Sequence, residues 1–311
     1  MTALNIHLLG KFSVEYEAKV LGVFNACKLQ ELFSYLLLYR DRPHSREILA
    51  GQLWGDSTTE KSRKYLRQAL WHLQTALELT GSADAPPVCL RVEHDWVQID
   101  TNRAMWLDVE VLEKAFTLVQ DVPGCDLNAG QAASLQVALE LYRGDLLEGW
   151  YQQWCLFERE LLQNKYLMIL DKLLGYCLSH QEYEAGQHYG SLILRYDRAR
   201  ESTHRLLMRM LHLAGDRTGA LRQYERCVSA LREELDVQPD TRTLALYEEI
   251  RGTDLNMLIA PKDEAISADA TISLPEVLGR LKQLQTMLAG VQQRVKRDIK
   301  AVELGLKACK R

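Results

Sequence analysis

The sequence predicts a mainly α protein with a small β component. A small N-terminal domain of helix-turn-helix order is followed by a helical repeat region and a C-terminal amphipathic helix. Three observations predict it. Glu60–Leu79 places Leu66, Ala69, Leu70, Leu73 and Leu77 at the spacing of one buried helix stripe. Two segments repeat at an offset of 35 residues in the second half of the chain. Val277 to Leu306 sets apolar residues at intervals of three and four, a heptad pattern with one stutter.

Composition bounds the rest. The 311 residues suffice for two domains and a tail, and 47% hydrophobic with 26% charged content is ordinary for a globular protein. Net charge is only −4, so a surface for a polyanion must be a local patch. Met1–Gly10 has no basic segment followed by a long apolar run, and no window reaches about eighteen uninterrupted apolar residues. Neither a signal peptide nor a membrane span is expected. The seven cysteines are scattered, odd in number and without CxxC, which argues against a disulfide framework or a zinc cluster. Most are expected to be small core residues in a reducing, cytoplasmic setting.

Taken in order, Leu4–Leu9 and Phe12–Glu17 read as short strands, with a third near Val20–Val23. Cys27–Tyr39 is strongly apolar and reads as a helix that Pro43 stops. Ser45 stands at the N-cap position of a short helix, Arg46–Trp54, which Gly55 ends. The turn Asp56-Ser57-Thr58 leads into the long helix. A helix, a short helix, a tight turn and a basic amphipathic helix are in helix-turn-helix order. After the turn-formers of Gly81–Pro87, Val88–Val92 and Trp96–Ile99 read as a hairpin closed by Glu93-His94-Asp95. That is where a winged helix-turn-helix places its wing.

The long helix carries the candidate chemistry. Opposite its apolar stripe lie Lys61, Lys64, Arg67, Gln68, Trp71 and Thr75, with acidic residues only at the ends, Glu60 and Glu78. This imbalance points to a phosphate-rich partner, against the alternative of a solvated face. Arg67 and Gln68 have the donors for bidentate base-edge contacts, Arg to guanine and Gln to adenine. Lys61, Arg63 and Lys64 suit phosphate contacts that set register. Trp71 either packs on a sugar or thymine methyl, or plugs the gap to the wing.

These residues carry a family resemblance. The N-terminal strands, LLLYRDRPHSREILAGQLWGD, KYLRQALWHLQTAL and the hairpin before WLDVEVLEKAF resemble the OmpR-type winged helix of SARP-type transcriptional activators. In that family a bacterial transcriptional activator domain follows. The resemblance covers about residues 3–252. It implies double-stranded DNA as partner, with the long helix in the major groove and the wing on phosphate or the adjacent minor groove. It also implies an activator that acts at short direct repeats near a promoter and contacts RNA polymerase. Against the family pattern, the wing carries Glu93 and Asp95, with only Arg91 and His94 able to assist. With some four or five cations a single domain binds weakly at physiological salt, so two copies or a helper are expected.

From Asp108 to about Arg251 the chain reads as helices, broken at Pro123-Gly124 and Gly130. Tyr142–Trp150, YRGDLLEGW, is a Gly-interrupted turn that resembles an element of the activator domain. Glu182-Tyr183-Glu184-Ala185 with Tyr189 and Ile193 matches Arg217-Thr218-Gly219-Ala220 with Tyr224 and Val228, a TPR-like repeat that Pro239 terminates. Such a stack either offers a face to a peptide or small-molecule effector, or only supports the N-terminal domain. His180, His188, His204 and His212 lie on different helices and read as surface or core residues, so no metal is expected.

Gly252–Ser273 lacks periodicity and reads as a linker. Ser273-Leu274-Pro275-Glu276 has the capping-box pattern, and the heptads that follow either form a parallel coiled coil in a homodimer or fold back on the repeats. The expected organisation is a winged helix-turn-helix domain over 1–104, a TPR-like activator domain over 105–252, a linker over 253–273 and an amphipathic helix over 274–311. No GxxxxGK[ST], GxGxxG after a strand, HExxH or GxSxG is present, so no enzyme and no cofactor is expected. The rival reading is a helical-repeat scaffold or effector sensor whose winged helix serves protein contacts.

Overall fold

The computed structural model describes residues 4–17, 19–24, 26–78, 89–100 and 105–259. The N-terminal part opens with β1 (Leu4–His7), β2 (Ser13–Tyr16) and β3 (Lys19–Val20), the third strand giving way to a 3-10 turn at Gly22–Phe24. Three helices follow, α1 (Cys27–Leu38), α2 (Arg46–Leu53) and α3 (Thr59–Glu78), with the two-residue β4 (His44–Ser45) leading into α2. The hairpin is β5 (Cys89–Val92) and β6 (Trp96–Asp100), and β7 (Met105–Leu107) closes the region.

Two small sheets frame the helices. One has the order β3-β2-β1-β7, with β7 parallel to β1 and Leu4 opposite Met105. The other, β4-β6-β5, sets His44 opposite Val97. α1 buries Leu29, Leu32, Phe33, Leu36 and Leu37 between them, and Phe33 stacks on Phe24 at 5.2 Å. Its buried Glu31 is held by Lys28 at 2.8 Å, which meets the requirement that a buried carboxylate be paired.

The remainder is helical: α4 (Asp108–Val119), α5 (Ala129–Leu141), α6 (Gln153–Ser179), α7 (Tyr183–Tyr196), α8 (Glu201–Leu213), α9 (Arg217–Leu235) and α10 (Thr241–Ile259). One apolar core runs from Leu4 through Met210, so the strands, α1–α3 and the first helices of the second part share an interior. The joint between them is polar and specific. Asp108, 1% exposed at the start of α4, accepts hydrogen bonds from the backbone N–H groups of Leu8 (2.8 Å), Leu9 (2.9 Å) and Val109 (2.7 Å). The Tyr142–Trp150 turn then lies along the end of β1: Leu147 N–H donates to Leu8 O at 2.8 Å and Gly10 N–H to Asp145 O at 2.9 Å. Gly10 sits at φ 98°, a conformation open mainly to glycine.

Arg159 of α6 holds the far side of that turn, donating to the carbonyls of Leu146, Leu147 and Trp150, each at 2.9 Å. These three charge-assisted bonds make the arginine a structural rivet, although Leu147 O also accepts from Trp150 N–H at 3.1 Å. Arg159→Leu is expected to cost about 2–4 kcal/mol in chemical denaturation, because the Leu146 and Trp150 carbonyls lose this donor on burial. Arg159→Lys recovers only part of it, since an ammonium lacks the planar fork.

Several expectations are corrected. Gly130 does not break a helix: it lies in the first turn of α5, which starts at a capping box of Asn128 and Gln131. Ser45 occupies the N-cap position of α2 but its side chain makes no capping bond, because its backbone is paired in β4. The helix α10 runs on to Ile259, so the first residues of the expected linker are helical. The repeat period is 34, not 35. Gln181 (φ 62°) and Gly215 (φ 85°) are equivalent left-handed turn residues, and Gly186 N–H to Glu182 O matches Ala220 N–H to Asp216 O. The small buried residue equivalent to Ala220 is therefore Gly186, where an added Cβ would lie 2.5 Å from Met210. The amphipathic helix expected over 274–311 lies outside the described residues.

Among the described cysteines, Cys155, Cys177 and Cys227 are core residues as expected, whereas Cys27 and Cys125 are exposed. Burial, helped by the neighbouring Glu182, pushes the Cys177 thiol up to about 12, and burial with Glu201 raises Cys227 to about 11. These thiols stay protonated and unreactive at neutral pH. Brief iodoacetamide treatment is expected to label Cys27 and Cys125 and to spare the three core cysteines until the chain is denatured, as peptide mass mapping will read.

Candidate nucleic-acid interface

α3 is positioned from beneath. Ser62 continues the apolar stripe one turn toward the N-terminus and is 4% exposed. Its hydroxyl has the carbonyls of Trp54 (2.9 Å), Thr58 (3.1 Å) and Ser57 (3.4 Å) within reach of its one proton. This ties the first turn of α3 to the end of α2 and fixes the angle at which the helix leaves the turn. The sequence signal for this role was the place of Ser62 four residues before Leu66 on the buried face, and sequence reasoning did not single it out. Ser62→Ala is expected to lose about 1 kcal/mol on urea unfolding, from the hydroxyl's bond to Trp54 O, which keeps only the Ser57 N–H at 3.0 Å.

Leu66, Leu70, Leu73, Ala76 and Leu77 bury the inner face, and Ala69 is half-buried. Lys61, Lys64, Arg67, Gln68 and Trp71 are exposed, as the periodicity requires, while Thr75 is half-buried and its hydroxyl donates to Trp71 O at 3.0 Å. Among the described residues, no carboxylate pairs with Lys61, Lys64 or Arg67. Arg63 differs: it meets the Glu47 carboxylate of α2 at 2.7 Å. Both partners are exposed, and such a pair is easily exchanged for another anion.

The wing is anchored but not basic. Arg46 reaches its tip, donating through the guanidinium to the carbonyls of Glu93 (3.2 Å) and His94 (3.4 Å) and through its backbone N–H to Asp95 O (2.9 Å). Arg91 pairs with Asp100 across the hairpin at 2.9 Å, and His94 faces its neighbour Asp95 at 2.7 Å. With Glu93 also at the tip, each wing residue expected to assist already faces a carboxylate.

Trp71 does not plug the gap to the wing, which corrects one of its two readings. It is 61% exposed, its ring lies 4.9 Å from that of His72, and it borders a groove shared with Ala26, Leu29, Trp54 and Tyr65. Ala26 and Leu29 belong to the start of α1, Trp54 to the end of α2 and Tyr65 to α3 itself, and no described hairpin residue lines the groove. Tyr65, also exposed at 41%, was not singled out from the sequence.

Residues 107–251 match the family model of the bacterial transcriptional activator domain. The chain therefore carries the kind of activator domain found in SARP-type regulators, which are transcription factors and not enzymes. A solved structure of Mycobacterium tuberculosis EmbR in complex with a low affinity phosphopeptide superposes with a TM-score of 0.58 at 19% identity, and it matches 81% of this chain. At that identity the likeness concerns the fold, and this chain spans 66% of the length of the EmbR chain. A comparison with curated proteins finds no match. Among the described residues, no helix is long and apolar enough to cross a membrane, and no His, Cys, Asp and Glu cluster could hold a metal ion.

Proposed function

We propose that this chain is a SARP-type regulator, a sequence-specific DNA-binding activator that lays α3 in the major groove of double-stranded DNA. The observation that carries this reading is the outer face of α3, where Lys61, Lys64 and Arg67 follow one another by turns with no carboxylate partner among the described residues. Lys61 and Lys64, near the helix N-terminus, bind phosphate, and Arg63 joins them by exchanging Glu47 for the DNA backbone. Arg67 and Gln68 read base edges, and Trp71 packs on a sugar or thymine methyl. Thr75 lies at the edge of this face. Arg91 and His94 reach phosphate only by leaving Asp100 and Asp95, so the wing adds little.

The organisation we propose has the DNA-binding domain over 1–104, the TPR-like activator domain over 105–252, a linker over 253–273 and a self-associating helix over 274–311. Two copies bind adjacent direct repeats near a promoter and contact RNA polymerase. The linker decouples the head-to-tail pair on DNA from a two-fold coiled coil. The test is a gel-shift titration of the full chain on a selected operator at several salt concentrations. With three phosphate contacts per copy, from Lys61, Arg63 and Lys64, log Kd is expected to change with log salt by about 3 units per bound copy. A footprint on inverted rather than direct repeats would contradict the head-to-tail arrangement.

The rival reading, a winged helix used for protein contacts, is favoured by the exposed Trp71 and Tyr65 beside Trp54. It predicts that charge reversal on the outer face of α3 has no effect on DNA retention.

A further inference from the structure

A second basic surface lies far along the chain from α3, in the groove between α7 and α9. Its floor is apolar: Leu207 of α8 is buried, and Leu194 and Leu211 are half-buried beside it. Its walls are cationic. Arg195 comes from α7, and Arg222 and Arg226 come from α9 on successive turns; all three are exposed, with no carboxylate partner among the described residues. Arg198, nearby, is excluded because Glu233 (3.0 Å) and Glu234 (3.7 Å) already hold it. Of the acidic groups at the groove, Asp216 is engaged in capping α9 through Gly219 N–H at 2.8 Å, and Glu225 stands on the rim.

The groove is also built from within. His204 is 3% exposed and Gln223 5% exposed, and both line it. His204 Nε2 lies 2.9 Å from Arg198 O, so it donates there, and Nδ1 accepts from the Gln223 amide at 2.8 Å. The amide oxygen that remains accepts from Arg226 at 3.3 Å. Burial holds the His204 pKa below its usual value, which keeps the ring neutral and this donor order intact. The relay from the Arg198 carbonyl through His204 and Gln223 fixes Arg226 beside the leucine floor.

We infer that the groove between α7 and α9 binds an extended acidic peptide of a partner protein, its carboxylates on Arg222 and Arg226 and its apolar side chains on Leu194, Leu207 and Leu211. Arginine presents a planar fork that matches a carboxylate, and a stacked helix pair offers an elongated surface to a strand-like ligand. Nucleic acid is the poorer match, because a phosphate backbone makes no use of a leucine floor. Gln223 is a positioning residue that acts through Arg226. The inference goes beyond DNA recognition by α3 and does not depend on it.

The test uses the full chain bearing Lys64→Glu and Arg67→Glu, so that α3 contributes nothing, and a fluorescein-labelled peptide of alternating Glu and Leu. Anisotropy is expected to show binding in the micromolar range, weakened by at least about tenfold when Arg222→Glu and Arg226→Glu are added. A peptide of alternating Gln and Leu is expected to bind at least about tenfold more weakly than the acidic one. Gln223→Leu is expected to lower the salt dependence of peptide binding by about one ion contact, and to lower the melting temperature by a few degrees because buried His204 loses its donor. A merely structural role for Gln223 would move the melt alone and leave the salt dependence of binding unchanged. No binding of the acidic peptide up to about 1 mM, or unchanged affinity in the arginine variants, overturns the inference. So does displacement of the peptide by a short DNA duplex, which would make the groove a second DNA surface.

Discussion

Replacing Lys64 and Arg67 together by Glu is expected to abolish retention of operator DNA while leaving the fold intact. Both side chains project from the outer face of α3, and neither takes part in the packing that Leu66, Leu70 and Leu73 provide. The fold therefore loses nothing, whereas the duplex meets two negative charges where it met two positive ones. Losing one base-edge contact costs about 1–3 kcal/mol, and each reversed phosphate contact adds repulsion, so the pair is expected to lose several hundredfold in affinity. The salt dependence should fall by about one unit as well, from the phosphate contact of Lys64. The readouts are a gel shift and a thermal melt on the same preparation. Wild-type retention with both substitutions present would leave the scaffold reading standing.

Asp108→Ala is expected to have the largest effect on stability. Its carboxylate is the common acceptor for three backbone N–H groups, two at the end of β1 and one at the start of α4. Alanine leaves those donors buried without a partner. Each orphaned N–H costs about 1–3 kcal/mol, so a loss of about 3–6 kcal/mol is expected, or roughly 10 °C or more in a chain of this size. Asp108→Asn should fall between, because an amide has one accepting oxygen and presents N–H groups where the second oxygen stood. The damage should concentrate at the joint, so exchange of the Leu8 and Leu9 amides should rise before that of α6. A melting temperature within a degree or two of wild type would show that the joint is held by apolar packing alone.

The legible parts of this molecule were those written as periodicity. The stripe from Leu66 to Leu77 placed α3 to within a residue of its observed bounds, and with it the exposure of Lys61, Lys64, Arg67 and Gln68. Pro43 and Gly55 bracketed α2 for the reasons of backbone freedom that make them punctuators. Local pattern could not show partners that come from a distance. Arg63 meets Glu47 only because α2 and α3 cross, and Arg91 meets Asp100 only because the hairpin pairs in its particular register. Trp71 had the spacing to face the wing or the start of α1, and the rotation of α3 on its core decides between them. The repeat was detected one residue out of phase for a related reason. A search for alanine finds Ala185, whereas close packing of α7 on α8 demands the smallest residue one position later, at Gly186.

The central claim, that α3 reads duplex DNA, is tested most directly by selecting genomic fragments with the purified full chain and footprinting the enriched ones. The account predicts a short sequence element occurring as a direct repeat, with the two protected copies one helical turn apart or a small multiple of it, lost with Lys64→Glu and Arg67→Glu. Fragments recovered without any shared element, or recovered equally by the doubly reversed chain, would contradict it.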